Sequence, residues 1–240
     1  MIEKWDKRFL ELAEHVATWS KDRSTQVGAV IVDDQHRVVG VGFNGFPRGV
    51  TDDFRLDDRE VKYGIVVHGE LNAILNAAFT EGCTMYTSLG PCSQCAAAII
   101  QAGIARVVSP DTTHPRFMDS IRLGREILEE AGVVVELAQP SRNQQTKFIT
   151  STLQEMFPEH VVNTFEIPNW MGTIYRLNKP NTDEMVLVRY AYNAEIASTT
   201  LEAAHIIAEC FDEALEKQNN LVDITRDEIS FSNLEEGESL

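Results

Sequence analysis

Between Trp5 and Ser20 the apolar residues Phe9, Leu10, Leu12, Ala13, Val16 and Ala17 recur with helical period, which predicts an amphipathic first helix. Two β-branched runs follow, VGAVIVD (27–33) and RVVGVGFN (37–44), joined by the turn-like DDQH, and they read as a hairpin feeding a buried sheet. The next stretch, GFPRGVTDDFRLDDREVKYG (45–64), has no apolar period and reads as a polar loop before a helical run that begins near His68. Strand and helix then alternate. TMYTSL (84–89) reads as a strand, Cys92 to Ala102 as a helix, ARVVSP (105–110) as a strand, SIRLGREILEEAG (120–132) as a helix ended by Gly132, and VVVEL (133–137) as a strand. Such alternation predicts an α/β sheet with helices on both faces.

The period breaks at AQPSRNQQTK (138–147), where the composition turns polar and a boundary is expected. Beyond it QTKFITSTLQEMF (145–157) reads as a helix, and GTIYRL (172–177) and EMVLVRYAY (184–192) as strands. TTLEAAHIIAECFDEALEKQ (199–218) is a strongly amphipathic helix, with Glu202, Glu209, Glu213 and Glu216 opposite Leu201, Ala204, Ile207, Ala208 and Phe211. The last residues, EEGESL, read as a solvated tail. There is no internal repeat.

Composition narrows the functional classes. A chain of 240 residues, 43% hydrophobic, can bury a sizeable core as one domain with an extension or as two small domains. Its formal charge of -16 opposes a polyanionic partner, so a long DNA or RNA ligand is disfavoured. The acidic, interrupted N-terminus reads as neither signal peptide nor membrane anchor, which gives a cytoplasmic expectation. Four cysteines, Cys83, Cys92, Cys95 and Cys210, are too few for a disulfide scaffold, and Cys83 and Cys210 read as structural thiols. His15, His36, His114, His160 and His205 have no ligand partners at usable spacing.

The chemistry concentrates in GPCSQCAAAII (90–100). Pro91 opens a helix that places Cys92 and Cys95 on one face, with Cys92 at the positive end where a thiolate is stabilised. That geometry suits a metal and a redox dithiol equally, and a third ligand must decide. Upstream, VVHGELNAIL puts His68 and Glu70 at the head of another helix.

The combination of His68-Gly69-Glu70 with Pro91-Cys92-Ser93-Gln94-Cys95 resembles the zinc-dependent nucleoside and nucleotide deaminase superfamily. The resemblance implies a three-layer α/β/α cytidine deaminase-like fold with a mixed central sheet. It implies a deaminase domain over residues 1–140 and leaves residues 145–240 as a small α+β C-terminal region of unassigned role. It also implies that His68, Cys92 and Cys95 hold Zn2+ with water in the fourth position, and that Glu70 is the proton shuttle rather than a ligand. Residues 45–67 contain neither cysteine nor histidine, so one zinc per chain is expected. Many members carry alanine where this chain has Gly69.

Over residues 5–137 the stretches DRSTQVGAVIVD, VGVGFNGFPRGV, VVHGELNAILNA and MYTSLGPCSQCAAAIIQAGIARVV resemble deoxycytidylate (dCMP) deaminases in order. That resemblance implies hydrolysis of dCMP to dUMP and ammonia by a zinc-bound hydroxide. By it, Asn44 binds the sugar hydroxyl, or else is only a turn asparagine. Arg23, Ser24 and Thr25 are candidates for the phosphate, although Arg23 also fits a solvated surface turn. Phe117 lines the base pocket or anchors the last helix. Family members are commonly hexamers activated by dCTP and inhibited by dTTP, which points to Asn44, Gly45 and Arg48 as effector contacts and to Mg2+ arriving with a triphosphate effector.

Four other readings are weighed. The cysteine motif is too short for a riboflavin-pathway deaminase, and the charge disfavours a nucleic-acid deaminase. A deaminase of dCTP or of a modified deoxycytidylate is not separable by sequence. From a different class, the fold serves as a nucleotide sensor or oligomerisation platform with partner binding through the C-terminal region; an intact Glu70 argues against it.

Overall fold

The structure is a computed structural model and describes residues 2, 4–111, 117–165, 172–182, 185–191, 200–217, 221–224 and 229–232. The expectations for His114 and for the acidic tail lie outside these residues. The chain divides into two compact units, Met1–Gln139 and Pro140–Leu240.

The first unit is built on a sheet of β1 (Gly28–Val32), β2 (Val38–Phe43), β3 (Thr84–Thr87), β4 (Arg106–Pro110) and β5 (Val134–Ala138), ordered β2-β1-β3-β4-β5. β1 runs antiparallel to both β2 and β3, whereas β3, β4 and β5 are parallel, so the sheet is mixed. α1 (Lys4–Ala17) covers one face, where Phe9, Leu10, Ala13 and Val16 pack on Val30, Val32, Tyr86 and Val108. α3 (Gly69–Asn76), α4 (Ser93–Gln101) and α5 (Met118–Glu130) cover the other, through Ala73, Ala96, Ile99 and Leu128 on Ala29, Ile31, Met85 and Val107. The result is the three-layer α/β/α arrangement, and every residue of β1 is buried, as a strand covered on both faces must be. α2 (Arg59–Ile65) is an addition to the sequence reading: it lies inside the stretch read as polar loop. Asp58 starts it, its carboxylate accepting from the backbone N–H groups of Glu60 and Val61.

Topology places the site. β2 and β3 flank β1 and both oppose it, so they point the same way and the chain leaves both at one edge of the sheet. α3 and α4 therefore begin at that edge. The loop entering β1 and the loop leaving β2 meet there too, since Gly28 pairs with Phe43.

The second unit has a sheet ordered β10-β9-β8-β7-β6, from β6 (Val161–Phe165), β7 (Gly172–Asn178), β8 (Met185–Ala191), β9 (Leu221–Ile224) and β10 (Ile229–Ser232). α6 (Arg142–Met156) and α7 (Thr200–Lys217) pack on it through Ile149, Leu153, Ile207 and Phe211 against Tyr175, Leu177, Val188 and Val222. α6 begins three residues before the run predicted from 145, because Ser141 and Gln144 form a reciprocal capping box. On α7, Ala204, Ile207, Ala208 and Phe211 are buried while Glu209 and Glu216 are exposed; the side chains of Leu201 and Glu202 lie outside the described residues. Cys83 and Cys210 are buried free thiols. Among the described residues no helix is long and apolar enough to cross a membrane.

Candidate active site

His68 is the N-cap of α3 and Cys92 the N-cap of α4, and neither side chain spends itself on capping. Cys95 lies in the first turn of α4, facing the same space. The three donor atoms converge: His68 Nδ1 is 3.4 Å from Cys92 Sγ and 3.3 Å from Cys95 Sγ. Tetrahedral zinc with ordinary Zn–S and Zn–N bonds separates such donors by about 3.6 Å, so the group fits the ion with almost no rearrangement. Softness agrees as well, since two thiolates and one imidazole form a set that zinc accepts and that magnesium or calcium does not.

The electrostatics favour ligation. The Cys92 thiol is lowered to about 4, chiefly by the hydrogen bond from Cys95, against the upward pull of burial and with help from His68. It also stands at the positive end of α4. Glu70, in the first turn of α3, is only 3% exposed, and burial pushes its carboxyl up from the ordinary value. Glu70 is not among the metal-holding group but lines the same pocket as His68 and Cys92. At Gly69 an added Cβ would stand 2.8 Å from the carbonyl oxygen of Val27, so α3 approaches the start of β1 more closely than alanine permits.

These groups open onto a pocket. Its lining combines His68, Glu70 and Cys92 with Leu89 and Phe117 and with the polar residues Asp22, Ser24, Thr25, Asn44 and Lys62. Of the sequence candidates, Ser24, Thr25, Asn44 and Phe117 thus reach the pocket. Phe117 packs edge-on against Tyr63, another lining residue, with ring centroids 6.4 Å apart.

Asn44 is 6% exposed and its amide is heavily used: Oδ1 accepts from the Val27 N–H at 2.7 Å and Nδ2 donates to the Thr25 carbonyl at 2.9 Å. It bolts the loop before β1 to the end of β2. Arg23 does not line the pocket; its side chain is 85% exposed and lies 3.7 Å from Asp57. Arg48 is also outside the lining and donates to Asn76 Oδ1. Gly45 pairs with Val67 through backbone bonds of 3.1 and 2.9 Å, tying the loop after β2 to the residue preceding His68.

Sequence reasoning missed Lys62, Asp22 and Tyr63. Lys62 comes from α2, and the one available signal was Asp58 as an N-cap ahead of REVKYGI. Lys62 Nζ donates to Asp22 Oδ1 at 3.1 Å and to Ser24 Oγ at 2.7 Å. Burial pulls the Asp22 carboxyl upward, but the bonds from Ser24, Lys62 and Thr25 together outweigh it and leave it below the ordinary value.

Residues 3–110 match the family model for the cytidine and deoxycytidylate deaminase zinc-binding region. An "uncharacterized deaminase in luxG 3'region" from Aliivibrio fischeri is 48% identical over 139 residues, 56% of this chain and 94% of that protein. The human deoxycytidylate deaminase is 41% identical over 139 residues, 54% of this chain and 77% of that protein. Among solved structures, dCMP deaminase from the cyanophage S-TIM5 in complex with dCMP and dUMP superposes with a TM-score of 0.49 and 24% identity, over 57% of this chain and 99% of that one.

Proposed function

The chain belongs to the cytidine and deoxycytidylate deaminase family and is a zinc-dependent deaminase, and from that premise we propose that it hydrolyses dCMP to dUMP and ammonia. The observation that carries the reading is the convergence of His68, Cys92 and Cys95 in a pocket that a buried Glu70 also lines. Deoxycytidylate deaminases among the relatives support dCMP as the substrate.

His68, Cys92 and Cys95 would hold a zinc ion, which would supply the acidification of an attacking water. Glu70 would accept one proton from the attacking water and deliver it to ring N3, then carry the remaining proton of the hydroxyl formed at C4 to the amine as the C4–N bond breaks. Burial suits it to this shuttle, because few solvent molecules compete for the carboxylate. Phe117 flanks the ring, and Asn44, a lining residue, serves the sugar while its Nδ2 holds the loop that carries Ser24 and Thr25. Control by dCTP as activator and dTTP as inhibitor, in a hexamer and with Mg2+ on the triphosphate, belongs to the same proposal. Its support is the bond pair between Gly45 and Val67, through which a shift of the loop carrying Arg48 would reach His68.

The test is ammonia release from cytidine, CMP, dCMP, dCTP and a single-stranded oligonucleotide, each with and without dCTP or dTTP. Preferential dCMP turnover that responds to the effectors is expected. Glu70→Gln should lower kcat by about 10²–10⁴-fold with zinc content unchanged. Loss of zinc from that variant, or wild-type preference for a different substrate, would overturn the assignment.

A further inference from the structure

The second unit turns one face of its sheet to α6 and α7, through Tyr175, Leu177, Val188 and Val222. Alternation along β7 puts Arg176 on the other face, opposite Asn163 of β6 and Leu187 of β8 and between Ile174 and Asn178 of its own strand. None of these four neighbours is an acid. Asp223 shares the face, but it lies two strands away and is held by Arg189, its register partner, at 3.5 Å. Among the described residues Arg176 therefore makes neither an ion pair nor a hydrogen bond. Its Nε–H is withdrawn from solvent with no acceptor, and the guanidinium carbon stands over the ring of Phe165, 5.6 Å from the centroid.

A buried N–H left without an acceptor costs about 1–3 kcal/mol, and more on a charged group, whereas an apolar side chain would fill the same place without that cost. Carboxylates are not scarce: the chain has 37 acidic residues against 21 lysines and arginines. The edge formed by Nε and the adjacent Nη is the one an arginine lays side-on against two oxygens of an oxyanion. Asn163 Nδ2 donates to Asn178 Oδ1 at 3.3 Å, which draws Asn178 alongside Arg176 and leaves its amide N–H groups with no acceptor among the described residues. Two donors from the fork and a third from Asn178 suit the three oxygens of a phosphate group better than the two of a carboxylate. Phe165, 42% exposed, adds an aromatic surface at the same place.

We propose that this face of the second unit is a nucleotide site: Arg176 lays its Nε edge against the phosphate, Asn178 donates a third hydrogen bond, and Phe165 stacks the base. The inference does not rest on the function proposed for the first unit, whose pocket is lined by residues of that unit alone. It gives residues 140–240 a ligand of their own.

The test uses the full chain with inorganic phosphate and AMP as probes, read by calorimetry and by hydrogen exchange. Both probes should slow exchange in β6 and β7, and AMP should bind the more tightly. Arg176→Met keeps the volume and removes the guanidinium; it should weaken both by about 10–100-fold, the loss of hydrogen bonds to a charged group. Phe165→Ala should weaken AMP by about 5–100-fold, the worth of one stacked base, and leave inorganic phosphate unchanged. Exchange in the wild type needs no variant, so a substitution that fails to fold leaves the test intact. Probes that leave β6 and β7 unprotected overturn the inference, as does an Arg176→Met protein that binds like the wild type. Protection confined to α3, α4 and the loops of the first unit would place the probes there and overturn it equally. Acetate at the same concentrations should give no protection, and a response equal to that of phosphate would overturn the assignment of the anion.

Discussion

Substituting Gly124 by alanine should damage the metal site from the far side of α5. Gly124 faces the turn that presents Cys92, and a Cβ there would lie 2.5 Å from Pro91 O, 3.0 Å from Cys92 C and 3.2 Å from Cys92 O. Ordinary contact needs about 3.4 Å, so something must yield by about 0.9 Å. All three neighbours are backbone, so no rotamer change can relieve the clash. Overpacking of this kind costs about 1–3 kcal/mol, and the helix propensity gained by replacing glycine offsets about 1 kcal/mol of it. The net loss of about 0–2 kcal/mol corresponds to a fall in Tm of at most roughly 8 °C for a unit of this size. Zinc affinity should fall further, by about 10–100-fold, because the displaced turn carries a ligand. Thermal unfolding with and without added zinc, and competition against a chromophoric chelator, read the two effects separately. Gly64→Ala is the internal control: Gly64 lies in α2 with nothing within 4 Å of its added Cβ, and it should gain about 0.5–1 kcal/mol. A Gly124→Ala protein with wild-type Tm and zinc affinity would refute the close packing of α5 on the Cys92 turn.

Asp22→Asn should produce a stability deficit that depends on pH. The folded Asp22 carboxyl sits below its ordinary value, so its contribution is complete above the unfolded value of about 4 and disappears as pH falls through the folded one. The gap between wild type and variant should therefore be full at pH 7 and close as pH drops below about 4; a gap constant down to pH 2 would contradict the reading. In the second unit, Phe211 is fully buried and packs edge-on against Phe157 at 5.9 Å. Phe211→Ala should cost that unit about 3–5 kcal/mol. Hydrogen exchange should then accelerate in α6 and α7 with protection in α3 and α4 unchanged, and equal acceleration in both sets would show one cooperative block instead of two.

What the sequence disclosed depended on period and on motif. α1 and the β1–β2 hairpin were legible because Phe9, Leu10, Ala13 and Val16 follow a helical repeat and β1 is an unbroken apolar run. The helix α2 was not, because its seven residues, REVKYGI, present no apolar stripe and it depends on the Asp58 cap. β6, β9 and β10 escaped for a related reason: VVNTF, LVDI and ISFS are too short for alternation to rise above noise. At the site, His68, Glu70, Cys92 and Cys95 stood out as residue types with one common chemistry. Lys62 did not, since a lysine in a polar stretch is ordinarily a surface residue, and its partner Asp22 is 40 positions away. Arg23 illustrates the converse, a cation adjacent to the right strand that an exposed carboxylate draws outward.

The two halves of the metal motif meet because of strand direction. His68 and Cys92 are 24 residues apart, yet each caps a helix that starts where β2 or β3 ends, and those strands point the same way because both oppose β1. Reversing either strand would carry one ligand to the opposite edge of the sheet, about 15 Å away for strands of this length. The same edge receives the start of β1, which brings in Asp22, Ser24 and Thr25, and the end of β2, which brings in Asn44. The N-terminus of α4 thus favours the Cys92 thiolate, while the amides of Ser24 and Thr25 and the Lys62 ammonium hold the Asp22 carboxylate in the wall of the same pocket.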